Sequence, residues 1–190
     1  MVRIDRVVTR GGDRGETSLG DGERVSKDAP RIEAMGAVDE ANAAIGVLRL
    51  HCGADREADA MLARIQNDLF DVGADLCVPG TGADRLRLSD AATVRLEAEV
   101  ASINAALPRL TSFVLPAGTP AAAQAHLART IARRAERRVV TLAGVEDVNP
   151  EVIRYLNRLS DHLFVLSRHV NDRGKSDVLW QPGATRQPGS

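Results

Sequence analysis

Between about Arg56 and Cys77, the residues Leu62, Ile65, Leu69, Val72 and Leu76 recur at alternating steps of three and four. This spacing returns an apolar side chain to one side of an α-helix at every turn, whereas a half-buried strand needs a period of two. An apolar seam of this kind has to be covered, and in a helical protein other helices cover it. Val152, Leu156, Leu159, Leu163 and Leu166 form a second such seam. Only 3% of the residues are aromatic, so the core must be made mainly from Leu, Ile, Val and Ala. That composition suits close-packed helices better than a sheet rich in aromatic and β-branched residues. The spacing and composition together predict an all-α chain.

Three further helices complete the reading. From about Arg31 to Cys52, Ile32, Met35, Val38, Ile45 and Leu48 sit at helical spacings, with Asp39 and Asn42 one turn apart beside them. Ser89-Asp90 has the character of an N-terminal cap for a helix carrying Leu96, Val100, Ile103 and Leu107, which Pro108 ends. Ala121 to Ala143 is a run of good helix formers without an internal Gly or Pro, and it carries more arginines than any of the other four helices. Asn149-Pro150-Glu151 reads as cap, first helical residue and first-turn acid, launching the last helix, which ends near Asn171.

Loops are expected at Thr9 to Gly22, Pro79 to Asp84 and Leu115 to Pro120. In the tail from Gly174 to Ser190, Val178, Leu179 and Trp180 can dock as a short extended piece, and the rest is read as flexible. With 190 residues, no internal repeat and a near-average composition, the chain is expected to be one domain over 1–190, with a helical core at about 31–171.

A formal net charge of −1 supplies no general field for nucleic acid or an anionic membrane, so any anion site must be local. The N-terminus lacks the apolar run of a signal peptide, and no stretch approaches the roughly 18 apolar residues of a membrane span. Cys52 and Cys77 show no metal-type pairing and read as reduced packing residues, which fits a cytoplasmic location.

Two clusters can carry chemistry. Gly11, Gly12 and Gly15, with Thr9, Thr17 and Ser18, suggest backbone N–H groups and hydroxyls arranged around phosphate, although such a loop also serves as a plain turn. The spacing is not that of a Walker motif, because no Lys precedes Thr17 or Ser18. On the fourth helix Arg129, Arg133 and Glu136 share a face flanked by Arg134 and Arg137, which is either an anion site or a solvated charged surface. Asn157, Asp161 and Arg168 lie beside the seam of the last helix, where they either meet a ligand or tie helices together. No Glu-x-x-His pair occurs, and His162 and His169, two turns apart, read as packing or solvent-facing residues rather than metal ligands.

Five segments in order, TRGGDRGETSLGDG at Thr9 to Gly22, VDE at Val38 to Glu40, FVLPAG at Phe113 to Gly118, ARTIARRAERRV at Ala128 to Val139 and NRLSD at Asn157 to Asp161, resemble the PduO-type cobalamin adenosyltransferase family. The resemblance implies a five-helix bundle with a Gly-rich N-terminal phosphate-binding loop, assembled as a homotrimer with active sites at its subunit interfaces. It implies transfer of the 5′-deoxyadenosyl group of ATP to the cobalt of cob(I)alamin, with inorganic triphosphate leaving and Mg²⁺ assisting. Carried over, it sets Thr9, Gly12, Asp13, Gly15, Thr17, Ser18 and Lys27 around the triphosphate. Arg133 and Glu136 are expected at the ATP site, supported by Arg134 and Arg137, with Asn157 near the adenosyl end. Asp39 and Arg129 match an intersubunit ion pair in which Arg129 also borders the nucleotide, and Phe113 matches an aromatic wall at the lower face of the corrin.

Because cobalt itself is the implied nucleophile, no catalytic Ser, Cys or His is required. Alignment, exclusion of water and stabilisation of the leaving group are the protein's part. A corrinoid reductase and an adenosylcobalamin-dependent enzyme are the implied partners. The chain departs from the family pattern at Gly11, Glu16 and Ala117. Glu16 receives no binding role, since an acid beside triphosphate repels it unless it faces away or helps hold a cation. The alternatives are a non-catalytic corrinoid- and ATP-binding carrier or interaction protein, and a different ATP-using transferase.

Overall fold

The computed structural model describes residues 8–80, 82 and 85–186. Thr81, Ala83 and Asp84 of the predicted turn, and most of the N-terminal decapeptide, lie outside the described residues. A two-stranded hairpin, β1 (Glu16–Ser18) and β2 (Arg24–Ser26), precedes five helices. These are α1 (Pro30–Arg49), α2 (Arg56–Leu76), α3 (Asp90–Ala105), α4 (Pro120–Ala143) and α5 (Pro150–His169).

The helix ends follow local chemistry. Asp55 caps α2 by accepting from the Ala58 amide at 3.0 Å, and Thr119 caps α4 by accepting from Ala122 at 3.1 Å. Asn149 caps α5 as its sequence suggests, accepting from Glu151 at 3.1 Å. Ser89 occupies the cap position of α3, but its hydroxyl makes no capping bond. Asp75 organises that corner instead: its buried carboxylate accepts from the Leu88 amide at 2.8 Å and from Asn149 Nδ2 at 2.7 Å, and pairs with Arg87 at 2.9 Å.

Side-chain pairings give the helix directions. Asn42 reaches Gln66 and Arg49 reaches Asp59, so α1 and α2 run antiparallel. Arg134 pairs with Glu40 and Arg138 with Glu33, which sets α4 antiparallel to α1. Glu136 meets Asn157 and His126 meets Phe164, so α5 returns along α4. Arg158 to Glu97 and His162 to Glu99 keep a nearly constant offset, and α3 and α5 are therefore parallel.

The core joins the two predicted seams to α4, whose inner face is Ala121, Ala125, Ala128, Ala132, Ala135, Val139 and Leu142, all buried. These small residues let α1 and α5 pack closely on α4, which explains how a core so poor in aromatics fills its space. Leu62, Ile65, Leu156, Leu159 and Leu163 are fully buried among them, each stabilising the fold by about 1.5–3 kcal/mol through its burial. Tyr155 is the large aromatic of the core, and its hydroxyl donates to Asp68 Oδ2 at 2.8 Å. No helix among the described residues is long and apolar enough to cross a membrane.

Candidate functional site

The glycine-rich segment, expected to be wholly loop, closes into the hairpin. Glu16 lies opposite Ser26, Thr17 opposite Val25 and Ser18 opposite Arg24. Alternation along so short a ribbon puts Glu16, Ser18, Arg24 and Ser26 on one face and Thr17 and Val25 on the other. Arg24 then gathers the loop, donating to the Gly11 carbonyl at 2.8 Å and approaching Ser18 Oγ and Glu16 Oε2 at 3.4 Å each. Glu16 thus has a cation of its own hairpin within 3.4 Å. The Asp21-Gly22 pair, with Gly22 at φ 94°, is the sequence signal from which this hairpin is readable.

Lys27 sits against the loop it was expected to join. Its amide donates to the Gly15 carbonyl at 2.8 Å, and its Nζ lies 2.8 Å from where a Cβ on Gly12 would stand. Glycine at position 12 is what admits the ammonium group. Thr9, Asp13, Gly15 and Ser18 are exposed around it, and no side-chain partner engages the Asp13 carboxylate among the described residues. Thr17 and Ser18 also border a cleft of about 540 Å³ whose far wall is Met35, Asp39, Asn42 and Phe70 of α1 and α2.

The second cluster lies on α4 and α5. Asn157 Nδ2 donates to Glu136 Oε1 at 2.9 Å, bringing together two residues expected at the same site. Arg134 pairs with Glu40 of α1, so its charge is already partly engaged. Arg133 and Arg137 are exposed, and among the described residues their guanidinium groups have no acceptor. Arg129 is half-buried, and its Nε is shielded from solvent without a partner. Burial, and then the like charge of Arg133, lower its pKa from the ordinary arginine value. One turn earlier His126 is buried with Nδ1 unpartnered, and its pKa is lowered by burial and then by Arg129.

No hydrogen bond or ion pair joins these two clusters among the described residues, and Asp39 is exposed without a partner among them. Phe113 stands apart from both on the loop between α3 and α4, 77% exposed, with its ring centroid 6.1 Å from that of Trp180. Val114 and Leu179 form an antiparallel bridge, so the tail docks where its short apolar run suggested.

The histidines of α5 take structural partners. His162 Nε2 lies 2.9 Å from Glu99 Oε2, and His169 Nε2 lies 2.8 Å from Asp55 Oδ2. No group of three metal-ligating side chains occurs among the described residues. Arg168 turns into the structure rather than toward α4, donating to Asp177 and to the Pro108 carbonyl at 2.7 Å each. Arg24 and Asp177, which the sequence reading passed over, earn their roles from partners that only the folded chain supplies.

A family model described as cobalamin adenosyltransferase matches residues 7–170. A cobalamin adenosyltransferase of Cupriavidus metallidurans is 48% identical over 180 residues, covering 94% of this chain and 96% of that protein. The corrinoid adenosyltransferase of Bacillus subtilis is 40% identical, covering 94% of each. Among solved structures, a phenylalanine-to-alanine variant of a PduO-type ATP:corrinoid adenosyltransferase from Lactobacillus reuteri, complexed with cobalamin and ATP, superposes with a TM-score of 0.87. It shares 34% sequence identity and covers 93% of this chain and 99% of that one. An arginine-to-lysine variant of the enzyme from the same organism, complexed with ATP, gives 0.83 at 35% identity, covering 92% and 100%.

Proposed function

The chain belongs to the cobalamin adenosyltransferase family, and from that membership we propose that it transfers the 5′-deoxyadenosyl group of ATP to the cobalt of cob(I)alamin, releasing adenosylcobalamin and inorganic triphosphate. The observation that carries the reading from family to this chain is the row of α4 cations without acceptors among the described residues, Arg129, Arg133 and Arg137, in a protein whose two buried arginines, Arg31 and Arg168, find acceptors within the chain. A polyanion is the ligand such a row lacks.

In this reading Arg133 binds the departing triphosphate, with Arg137 beside it, and Glu136 and Asn157, already hydrogen-bonded, orient the nucleoside end. Thr9, Gly12, Asp13, Gly15, Thr17, Ser18 and Lys27 form the opposite wall around the phosphates. The nucleophile is cobalt, so the chain's work is to hold the 5′ carbon in line and to stabilise charge on the leaving oxygen. The free Asp13 carboxylate fits a Mg²⁺ ion shared with phosphate oxygens, since such ions usually take one or two carboxylates plus phosphate. That ion would supply neutralisation of the leaving group.

Among the described residues no hydrogen bond or ion pair links the two clusters, which is in keeping with an active site assembled between subunits of a homotrimer. Asp39, exposed and without a partner among the described residues, and Arg129, with a buried orphan N–H, are the matching halves of an ion pair across that interface. Phe113 presents its ring to cover the lower face of the corrin and keep water from cobalt. The free Cys52 and Cys77 are in keeping with a reducing, cytoplasmic setting.

Anaerobic incubation with reduced cobalamin and ATP tests the reading directly. Adenosylcobalamin and triphosphate in equal amounts are expected. Binding of both substrates without product would point to a carrier, and a phosphorylated product to a different transferase.

A further inference from the structure

The segment after α5 forms a polar knot around the loop that carries Phe113. Arg168, on the last turn of α5 and only 3% exposed, donates through Nε to Asp177 Oδ2 and through Nη2 to the Pro108 carbonyl, both at 2.7 Å. The second Asp177 oxygen accepts from Asn171 Nδ2 at 3.3 Å, and Asn171 Oδ1 accepts from the Thr119 amide at 3.0 Å. Pro108 and Thr119 are the two ends of the loop. Both therefore hang from one buried ion pair.

The middle of the loop is held by the same tail. The Leu115 amide donates to the Val178 carbonyl at 2.8 Å, the Trp180 amide to the Phe113 carbonyl at 2.8 Å, and Ser112 Oγ to the Trp180 carbonyl at 2.7 Å. The fit at the hinge is tight: Gly118, at φ 107°, lies so close to Asn171 that a Cβ would meet its Oδ1 at 2.3 Å. Phe113 is too exposed for core packing to set its ring, so its direction depends on a fixed backbone and on the one ring beside it. The tail supplies both. Burying two charges to tie down a surface segment has a desolvation cost that a plain loop gives no reason to bear.

We propose that Asp177 and Arg168 form a positioning pair for adenosyl transfer, the buried ion pair fixing the Phe113 loop from both ends so that the ring keeps one attitude toward cobalt. The proposal rests on the reading of Phe113 as the cover of the lower corrin face. Neither residue of the pair touches substrate; both act through the loop.

The test uses full-length Asp177→Asn and Arg168→Lys, with Asp177→Glu as the conservative variant and Phe113→Ala as the reference. Cob(II)alamin is bound with ATP, and its four-coordinate fraction is read by visible and electron paramagnetic resonance spectra well below each melting temperature. Emission of Trp180, the sole tryptophan, reports the tail. Asp177→Asn and Arg168→Lys are expected to lose most of the four-coordinate fraction and to show red-shifted emission. Turnover should drop roughly tenfold to a hundredfold, as small misplacements near a reacting centre do, while the Kd for ATP stays within about twofold. Asp177→Glu should recover part of each loss. A folded Asp177→Asn with the wild-type four-coordinate fraction overturns the proposal if Phe113→Ala loses that fraction. If Phe113→Ala retains it, the reading of Phe113 fails and the positioning role falls with it. Should Asp177→Asn not fold, Trp180→Ala, peripheral to the core, carries the test: a reduced fraction supports the coupling of tail to loop, and an unchanged one overturns it.

Discussion

Arg168 and Arg133 stand on adjacent antiparallel helices of one bundle, yet their surroundings are opposite. Arg168 is buried and saturated, with Asp177 and the Pro108 carbonyl as acceptors. Arg133 is exposed and has no acceptor among the described residues, while Arg129, one turn before it, keeps a buried N–H without a partner. A buried donor left unpaired costs about 1–3 kcal/mol, a cost that the same chain avoids at Arg31, Arg87 and Arg168. Cations that the chain itself satisfies hold the fold together. In the proposed function Arg133 and Arg129, which it leaves unsatisfied, are completed from outside, by a phosphate and by another subunit.

The comparison breaks most visibly at Arg168. Removing the guanidinium by Arg168→Ala strands the buried Asp177 carboxylate and should cost about 3–5 kcal/mol of stability, read by denaturant unfolding. A loss below about 1 kcal/mol would mean that the pair is not the anchor described here. At Arg133 the loss should fall on chemistry instead. Arg133→Ala is expected to lower kcat by roughly 10²-fold, about 2.7 kcal/mol of transition-state stabilisation, at an unchanged melting temperature, with Lys restoring only part. Near wild-type turnover would remove the phosphate site from α4.

Arg129 sharpens the contrast, since it is predicted to be completed by protein rather than by solvent. Asp39→Ala and Arg129→Ala should each weaken assembly or activity, and the double variant should be less than additive by about 0.5–3 kcal/mol. Independent effects, with assembly unchanged by sedimentation, would dissolve the pair. The smallest effect belongs to His126. Its folded-state pKa lies below the ordinary histidine value of about 6.5, so the unfolded chain binds more protons as pH falls through that value. The stability this neutral, buried ring contributes is therefore present above about pH 6.5 and is lost as the solution becomes more acidic. His126→Gln should flatten that dependence in melts between about pH 7.5 and 5, and an unaltered slope would assign it to other groups.

The five helices were legible because each carries its own evidence: the three-four seams of α2 and α5, the proline-free run of α4, and Asn149-Pro150-Glu151 at the head of α5. The hairpin was not, because strands of three residues, none of them buried, have no apolar alternation to betray them, and only Asp21-Gly22 hinted at the turn. Motif order pointed to Arg129, Arg133, Glu136 and Asn157, and the helix pairing of α4 with α5 does bring Glu136 to Asn157. Arg24 escaped notice because its value depends on the register that sets it opposite Ser18. The partners of Arg168 and His162 escaped notice for a similar reason: Pro108 and Glu99 lie about sixty residues away and meet them only through the parallel packing of α3 and α5.

The alanines on the inner face of α4 make the thickness of the core a ruler for the arginines outside it. Ala128, Ala132 and Ala135 leave methyl groups alone between α4 and its neighbours, and Arg129, Arg133, Arg134 and Glu136 are their immediate neighbours along the helix. A bulkier side chain at the fully buried Ala132, which any scheme for filling the core would consider, forces backbone shifts in α4 that carry the guanidinium row with them. Stabilising this bundle from within and tuning the reach of its charged face are therefore one operation, and variation at these alanines should be judged by what it does to the positions of Arg129 and Arg133.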